Sequence, residues 1–230
     1  KQYEKAEPFL KKYLKDNDDN PNAYLYMGIL FQEKAAKNNP LLETEILNSN
    51  IDSALLNYDK AYKTINEREL RKNDEYYEAY MRRDIRTGKF EIKLSDVQLD
   101  IENRTKNLKD RKEKVKLLKN YFTESATAYT KANERYKSIQ SKYANEKEFF
   151  LRSNEEVIAS LKSISLAYDS SIDFFEKYKS TSKELGKTGD VQTLNKNTIK
   201  SLHQDGATAT DFLKDDIQIW NVDWLNDALN

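Results

Sequence analysis

The sequence predicts an all-α fold, and three observations carry that prediction. Five Gly and three Pro are spread over 230 residues, and every Pro (Pro8, Pro21, Pro40) falls in the first forty positions. Long stretches are therefore free of helix breakers, while sheet folds need many more turn residues than this. Apolar residues recur every seven positions from Ile101 to Tyr143 without a miss, the period of helices wound around one another. Finally, 38% of residues are hydrophobic and 34% charged, a balance suited to helices that each bury only one stripe. Aromatic residues at 11%, mostly Tyr, argue against the other reading of a polar chain, which is disorder.

Composition also excludes several classes of function. Lys+Arg and Asp+Glu both number 39, so no overall field directs the chain to nucleic acid or to an anionic surface. The absence of Cys removes disulfides, thiolate metal sites and a Cys nucleophile together. No apolar run approaches the length that spans a membrane. Lys1 opens in mid-pattern and reads as the start of a piece cut from a longer protein. With the missing Cys and the Tyr/Asn/Lys-rich composition, that leans toward a periplasmic or cell-envelope location over a cytoplasmic one.

Residues 1–88 form the first predicted region. Tyr24, Met27, Gly28 and Phe31 are followed by Ala54, Tyr58 and Ala61, and preceded by Ala6, Leu10 and Tyr13 eighteen residues upstream in phase. Small residues at Gly28, Ala54 and Ala61 let two helices approach closely while Tyr24, Phe31 and Tyr58 fill the layer between them. This pattern resembles the tetratricopeptide repeat over residues 1 to about 65. The resemblance implies stacked helix pairs that bind a protein or peptide. The sequence departs from the family in having Tyr24 for Trp, Met27 for Leu and Asp18 for the closing Pro, and in about fourteen additional residues, roughly Lys37 to Asn50. A further helix is expected over Asp74 to Arg86, where Tyr76, Tyr77, Tyr80 and Met81 form an apolar face, with Gly88 as its C-cap.

Residues 89–95 alternate in polarity at Phe90, Ile92 and Leu94, which reads as an extended crossover in preference to a small β-ribbon. Ser95 and Gln98 then form a capping box that opens the long helix, Asp96 to Tyr143, a rod of roughly 70 Å at 1.5 Å per residue. Its seam is thin at Arg104 and Arg111 and well filled from Leu118 onward. A second capping box, Ser153 and Glu156, opens a return helix carrying Val157, Leu161, Ile164, Tyr168 and Phe175. A short closing loop favours an antiparallel hairpin over residues 96–184; pairing with a second chain is the competing arrangement. Residues 185–230 form a C-terminal segment. The sequence predicts a break at Leu185 to Asp190, a helix from Val191 to His203, one or two further turns over Ala209 to Asp215 and an apolar end with Trp220 and Trp224.

Candidate chemistry is sparse. Gly186-Lys187-Thr188 lacks the preceding Gly of a phosphate loop, since Thr181 stands there, and the acidic run Asp16 to Asn20 has Pro21 and Met27 where a calcium loop needs Gly and Glu. His203 is the single His, so neither a multi-His zinc site nor a supported triad can be built. The eight basic residues from Arg104 to Lys119 have no aromatics among them for base stacking; pairing with the acidic stretch 205–230 is the cheaper reading. The expectation is a non-enzymatic interaction or assembly scaffold with no cofactor or metal, a protein or peptide partner, and self-association through the heptad helices as an option. The alternative is a passive spacer in a larger envelope or secretion protein. The expected partner-binding residues are Tyr24, Phe31, Tyr76 and Tyr80, with Arg82 and Arg83, whose guanidiniums could grip a carboxylate or phosphate. A binding groove predicts the four aromatics exposed together; a spacer predicts them buried.

Overall fold

The computed structural model describes residues 3–86, 88–143, 146–152 and 154–185. The protein is all-α: seven α-helices, one 3-10 segment and a two-residue-per-strand β-hairpin make up those residues. The C-terminal expectations, including His203, Trp220, Trp224 and the Gly186-Lys187-Thr188 turn, lie outside them. The chain divides into two compact units at Val115 and Lys116. In the first are α1 (Tyr3–Asp16), α2 (Pro21–Lys37), α3 (Thr44–Thr64), α4 (Glu67–Lys72), the 3-10 segment (Asp74–Tyr80), β1 (Arg82–Arg83), β2 (Phe90–Glu91) and the beginning of α5 (Leu94–Gln140). The rest of α5 belongs to the second unit with α6 (Glu146–Arg152) and α7 (Glu155–Glu184).

Local chemistry sets the first three helices. The Asn20 side chain accepts from the Ala23 N–H, and Pro21, which has no N–H to lose, occupies the first helical position of α2. Of the stretch Lys37 to Asn50, Lys37 ends α2, residues 38–43 form a short link, and the rest belongs to α3, which starts at Thr44 and runs 21 residues. Leu30, Leu47, Ile51, Ala54, Tyr58 and Ala61 are sealed from solvent between α2 and α3. Gly28 is the contact that sets their spacing, because a Cβ there would lie 2.5 Å from the Tyr58 ring. The Tyr58 hydroxyl is tied to Gln32 Oε1 at 2.5 Å.

An ion-paired carboxylate fastens α1 to α2. Glu7 bridges Lys11 in its own helix at 2.7 Å and Lys34 in α2. Hydrogen bonds from the two ammonium groups hold its carboxyl below the ordinary 4.5, against the opposing effect of burial. A depressed folded-state value means the attachment stabilises above 4.5 and is lost as the pH falls through the folded value. Amide exchange in α1, corrected for intrinsic rates, is expected to rise as the pH is lowered from above 4.5 through the folded value. Glu7→Gln should make that opening independent of pH; a wild-type α1 equally protected at both ends of the window refutes the assignment.

The segment after α4 differs from expectation. The predicted helix over 74–86 is instead a 3-10 turn that stops at Tyr80, followed by β1. Tyr77, at φ −118 and ψ 15, leaves helical geometry to bury its ring completely, and this breaks the continuity. The crossover expected over 89–95 contains β2, which pairs antiparallel with β1 in the register Arg82↔Glu91 and Arg83↔Phe90. Gly88 is a hairpin residue, not a helix cap: its φ of +72° is the left-handed conformation the turn requires. Asp84 closes the turn, donating its N–H to the Lys89 carbonyl and accepting from the N–H of Gly88 and, through its side chain, of Arg86.

α5 begins at Leu94, one residue ahead of the expected cap, with the Lys93 carbonyl accepting from the Asp96 and Val97 N–H groups. Up to Val115 its buried line is Val97, Ile101, Leu108 and Val115. It lies antiparallel to α3, with Tyr62 donating to Glu102 at 2.7 Å and Lys112 to Asp52 at 2.5 Å.

In the second unit the buried line of α5 is Leu118, Ser125, Ala132 and Ile139, while Phe122, Tyr129, Tyr136 and Tyr143 are only half-buried. On α5 the buried line thus includes two small side chains, Ser125 and Ala132, while its rings are half-buried; on α7 the rings of Tyr168, Phe175 and Tyr178 are buried. α7 folds back antiparallel within the same chain. Tyr121 meets Phe174, Phe122 meets Tyr178 and Tyr129 meets Tyr168, with ring centroids 5.8 to 6.4 Å apart. The cap of α7 is Asn154, which accepts from Val157 N–H at 3.0 Å, one residue beyond the expected Ser153. In the middle of the pair Ser125 and Ser171 each donate to the other's backbone carbonyl at 2.8 Å, wholly buried. Ser125→Ala and Ser171→Ala should each lower unfolding stability by about 1 kcal/mol, read by urea denaturation. No loss in either variant refutes the reciprocal bonding.

Candidate functional site

The six expected site residues do not assemble into one surface. Tyr24 is buried, its hydroxyl donating to the Asp18 carbonyl at 2.8 Å and its ring under Lys60 Nζ at 4.9 Å. Phe31 is half-buried beneath Lys11 and Lys34, 5.9 and 5.5 Å from its centroid. Tyr80 turns inward, and its hydroxyl donates to Asp100 Oδ2 at 2.7 Å; the same oxygen receives Arg104 Nε at 2.7 Å. Burial and then that carboxylate push the Tyr80 phenol well above its ordinary value. Arg82 and Arg83 are exposed on β1 but spend donors on nearby backbone, Arg82 on the Ala79 and Met81 carbonyls and Arg83 on that of Gly88. As neighbours on a strand they point to opposite faces, where the sequence predicts them on a helix.

Tyr76 is the expected aromatic that stays exposed, and two unexpected tyrosines join it. Tyr13 on α1, Tyr26 on α2 and Tyr76 on the 3-10 segment are 46%, 41% and 52% exposed. The Tyr26 hydroxyl donates to the Tyr76 carbonyl at 3.4 Å. Asn20 Nδ2 donates to the Tyr13 hydroxyl at 3.2 Å, and Asn17 Nδ2 to the Tyr13 carbonyl at 3.1 Å. The Glu75 carboxylate, hydrogen-bonded to the Tyr76 phenol, raises it above its usual value, and the Tyr13 phenol contributes to the same shift. Tyr77 lies beneath them, fully buried, with Tyr26 and Tyr80 as neighbours. Phe9, one helical turn before Tyr13, is 73% exposed. The result is an aromatic face built from three elements of the first unit. Its sequence signal was present in Tyr26, an aromatic standing off the inward stripe of Tyr24, Met27 and Phe31.

Two open grooves also lie in this unit. One of about 730 Å³ runs between α3 and α5 over Leu55, Leu56, Tyr62 and Ile101, with Asp59, Lys106 and Lys109 at its edges. Another of about 780 Å³ lies between α4 and the hairpin, floored by Leu70, Met81, Phe90 and Ile92. Both carry charges of both signs. Among the described residues, no helix is long and apolar enough to cross a membrane, and no group of acidic or His side chains converges as metal ligands do.

No protein-family model matches this chain, and neither a curated protein nor a solved structure matches it.

Proposed function

We propose that the protein is a non-enzymatic interaction scaffold that holds a protein or peptide partner on the face formed by Tyr13, Tyr26 and Tyr76. The observation that supports this reading is the half-exposure of three adjoining tyrosines from separate elements. Each presents a large, stiff, amphipathic surface at low entropic cost, the property that makes tyrosine common at protein interfaces. The tetratricopeptide-like pattern of residues 1 to about 65 agrees with a binding role, and on this reading α1, α2 and α3 are its helices.

The spacer alternative draws on Tyr24 and Tyr80, which are occupied internally. Site-specific photo-crosslinking in cells expressing the protein separates the two. Crosslinkers at positions 26 and 76 should give one defined adduct that the same probe at Glu134, exposed on α5, does not. Equal labelling from all three positions, or none from any, supports the spacer and rejects the tyrosine face.

A further inference from the structure

Charge around the tyrosine face is uneven. The segments 12–20 and 72–78 that carry Tyr13 and Tyr76 hold six acidic residues, Asp16, Asp18, Asp19, Asp74, Glu75 and Glu78, against three lysines. The chain as a whole is balanced at 39 of each sign, so this excess is local. Among the described residues none of the six acids is held in an ion pair. Elsewhere in the first unit Glu7, Asp52, Asp59, Glu67, Asp84 and Asp100 each have a basic partner.

Lysines of this chain cover some of its rings elsewhere. Tyr24, Phe31, Phe174 and Phe175 each lie under a lysine of this chain, with Nζ 4.9 to 5.9 Å from the ring centroid. No lysine or arginine of the described residues covers Tyr13, Tyr26 or Tyr76. Those rings, and carboxylates without a basic partner among the described residues, share one complement that the described residues do not supply. A cation on an apolar stem satisfies both, laying its methylenes on a ring and its charged end between ring and carboxylate.

From this we infer that the occupant of the face is a Lys/Arg-bearing peptide segment of a partner protein. The inference rests on the reading of the tyrosine face as the binding surface and adds its chemical preference. An acidic segment is repelled there, and an uncharged proline-rich one can use the rings but gives the carboxylates no cation. The chemistry is short-ranged in salt, because exposed charges are screened beyond about 8 Å at physiological ionic strength.

The test uses the full chain and three fluorescein-labelled twelve-residue peptides, one alternating Lys/Arg with Ser, one with Glu at the basic positions, and one uncharged and proline-rich. Fluorescence anisotropy should show the cationic peptide binding at least about tenfold more tightly than either of the others. The double variant Tyr13→Ala/Tyr76→Ala should weaken it about tenfold, two rings at a few-fold each, with the helical circular dichroism retained. Glu75→Gln/Glu78→Gln should weaken it as well, whereas Glu113→Gln/Glu134→Gln, which removes the same charge from exposed positions on α5, should not. Equal weakening by the two charge variants, or full binding by the tyrosine variant, reduces the effect to general charge attraction and overturns the inference. Preferential binding of the acidic or proline-rich peptide, lost in the tyrosine variant, overturns the cationic preference while leaving the face as the interaction surface. Failure of all three peptides, together with no position-specific crosslink, rejects both.

Discussion

Gly28→Ala should destabilise the first unit by about 2–3 kcal/mol, and Gly28→Val by more. Alanine at a mid-helix position is ordinarily favoured over glycine by about 1 kcal/mol, so the sign of the effect depends on the neighbour. That neighbour is the Tyr58 ring, whose Cδ1 and Cε1 would both lie 2.5 Å from the new methyl. The ring cannot swing aside cheaply. It is fully buried, and its hydroxyl is anchored on Gln32. Relief must come from α2 and α3 moving apart, which opens the layer containing Leu30, Leu47, Ile51 and Ala54. Urea denaturation measures the loss. Tyr58→Leu, harmful in the wild type, should partly restore Gly28→Ala, because it removes the clashing ring edge. A Gly28→Ala protein as stable as wild type means that the two helices are not in contact at this point.

Asp100→Ala should cost about 2–3 kcal/mol, and the damage should fall on the 3-10 segment. The Oδ2 atom of Asp100 receives both the Tyr80 hydroxyl and Arg104 Nε. Its removal leaves a half-buried phenol and a half-buried guanidinium without their shared acceptor. Asp100→Asn keeps an oxygen at the site and should cost less. Tyr80 provides a local reading: burial comes first among the causes that raise its phenol and Asp100 second, so its titration should move back toward the ordinary tyrosine range in Asp100→Ala. An unchanged Tyr80 titration excludes the shared-acceptor arrangement even if stability falls.

Those two sites differ in how legible they were. Gly28 and Tyr58 stood out because a small residue and a large one at helical spacing leave a pattern in one dimension. The heptads from Ile101 to Tyr143 did the same, and even the thin start of the seam at Arg104 and Arg111 could be read from them. The Asp100 site could not, because Tyr80 and Asp100 meet only after the chain reverses through a hairpin. That reversal was hidden by composition: Tyr76, Tyr77, Tyr80 and Met81 are spaced as a helix would space them. One residue, Tyr77, left the helical region to bury its ring, and that sent Tyr76 outward and Tyr80 inward. The single apolar face expected of Tyr76, Tyr77, Tyr80 and Met81 was lost from the same cause. α4 was also missed, although Asn66 with Glu69 three residues on is a start signal and the Asn66 side chain does accept the Glu69 N–H. Tyr13 and Tyr26 were visible individually as aromatics, but their meeting with Tyr76 depends on how three elements converge.

The reciprocal serine bonds of the second unit bear on how such a hairpin can change in length over evolution. Ser125 and Ser171 engage each other's backbone, so they act as a fixed origin from which both helices are counted. Residues gained between Ser125 and the end of α5 must be matched by as many between the start of α7 and Ser171. The seven-residue period must also be kept if Ala132 and Ile139 are to stay opposite Leu161 and Ile164. Growth or shortening by paired heptads is therefore the tolerated route. A single-residue insertion in one helix turns the ring-flanked seam away from its partner, unless the connection carrying α6 absorbs it.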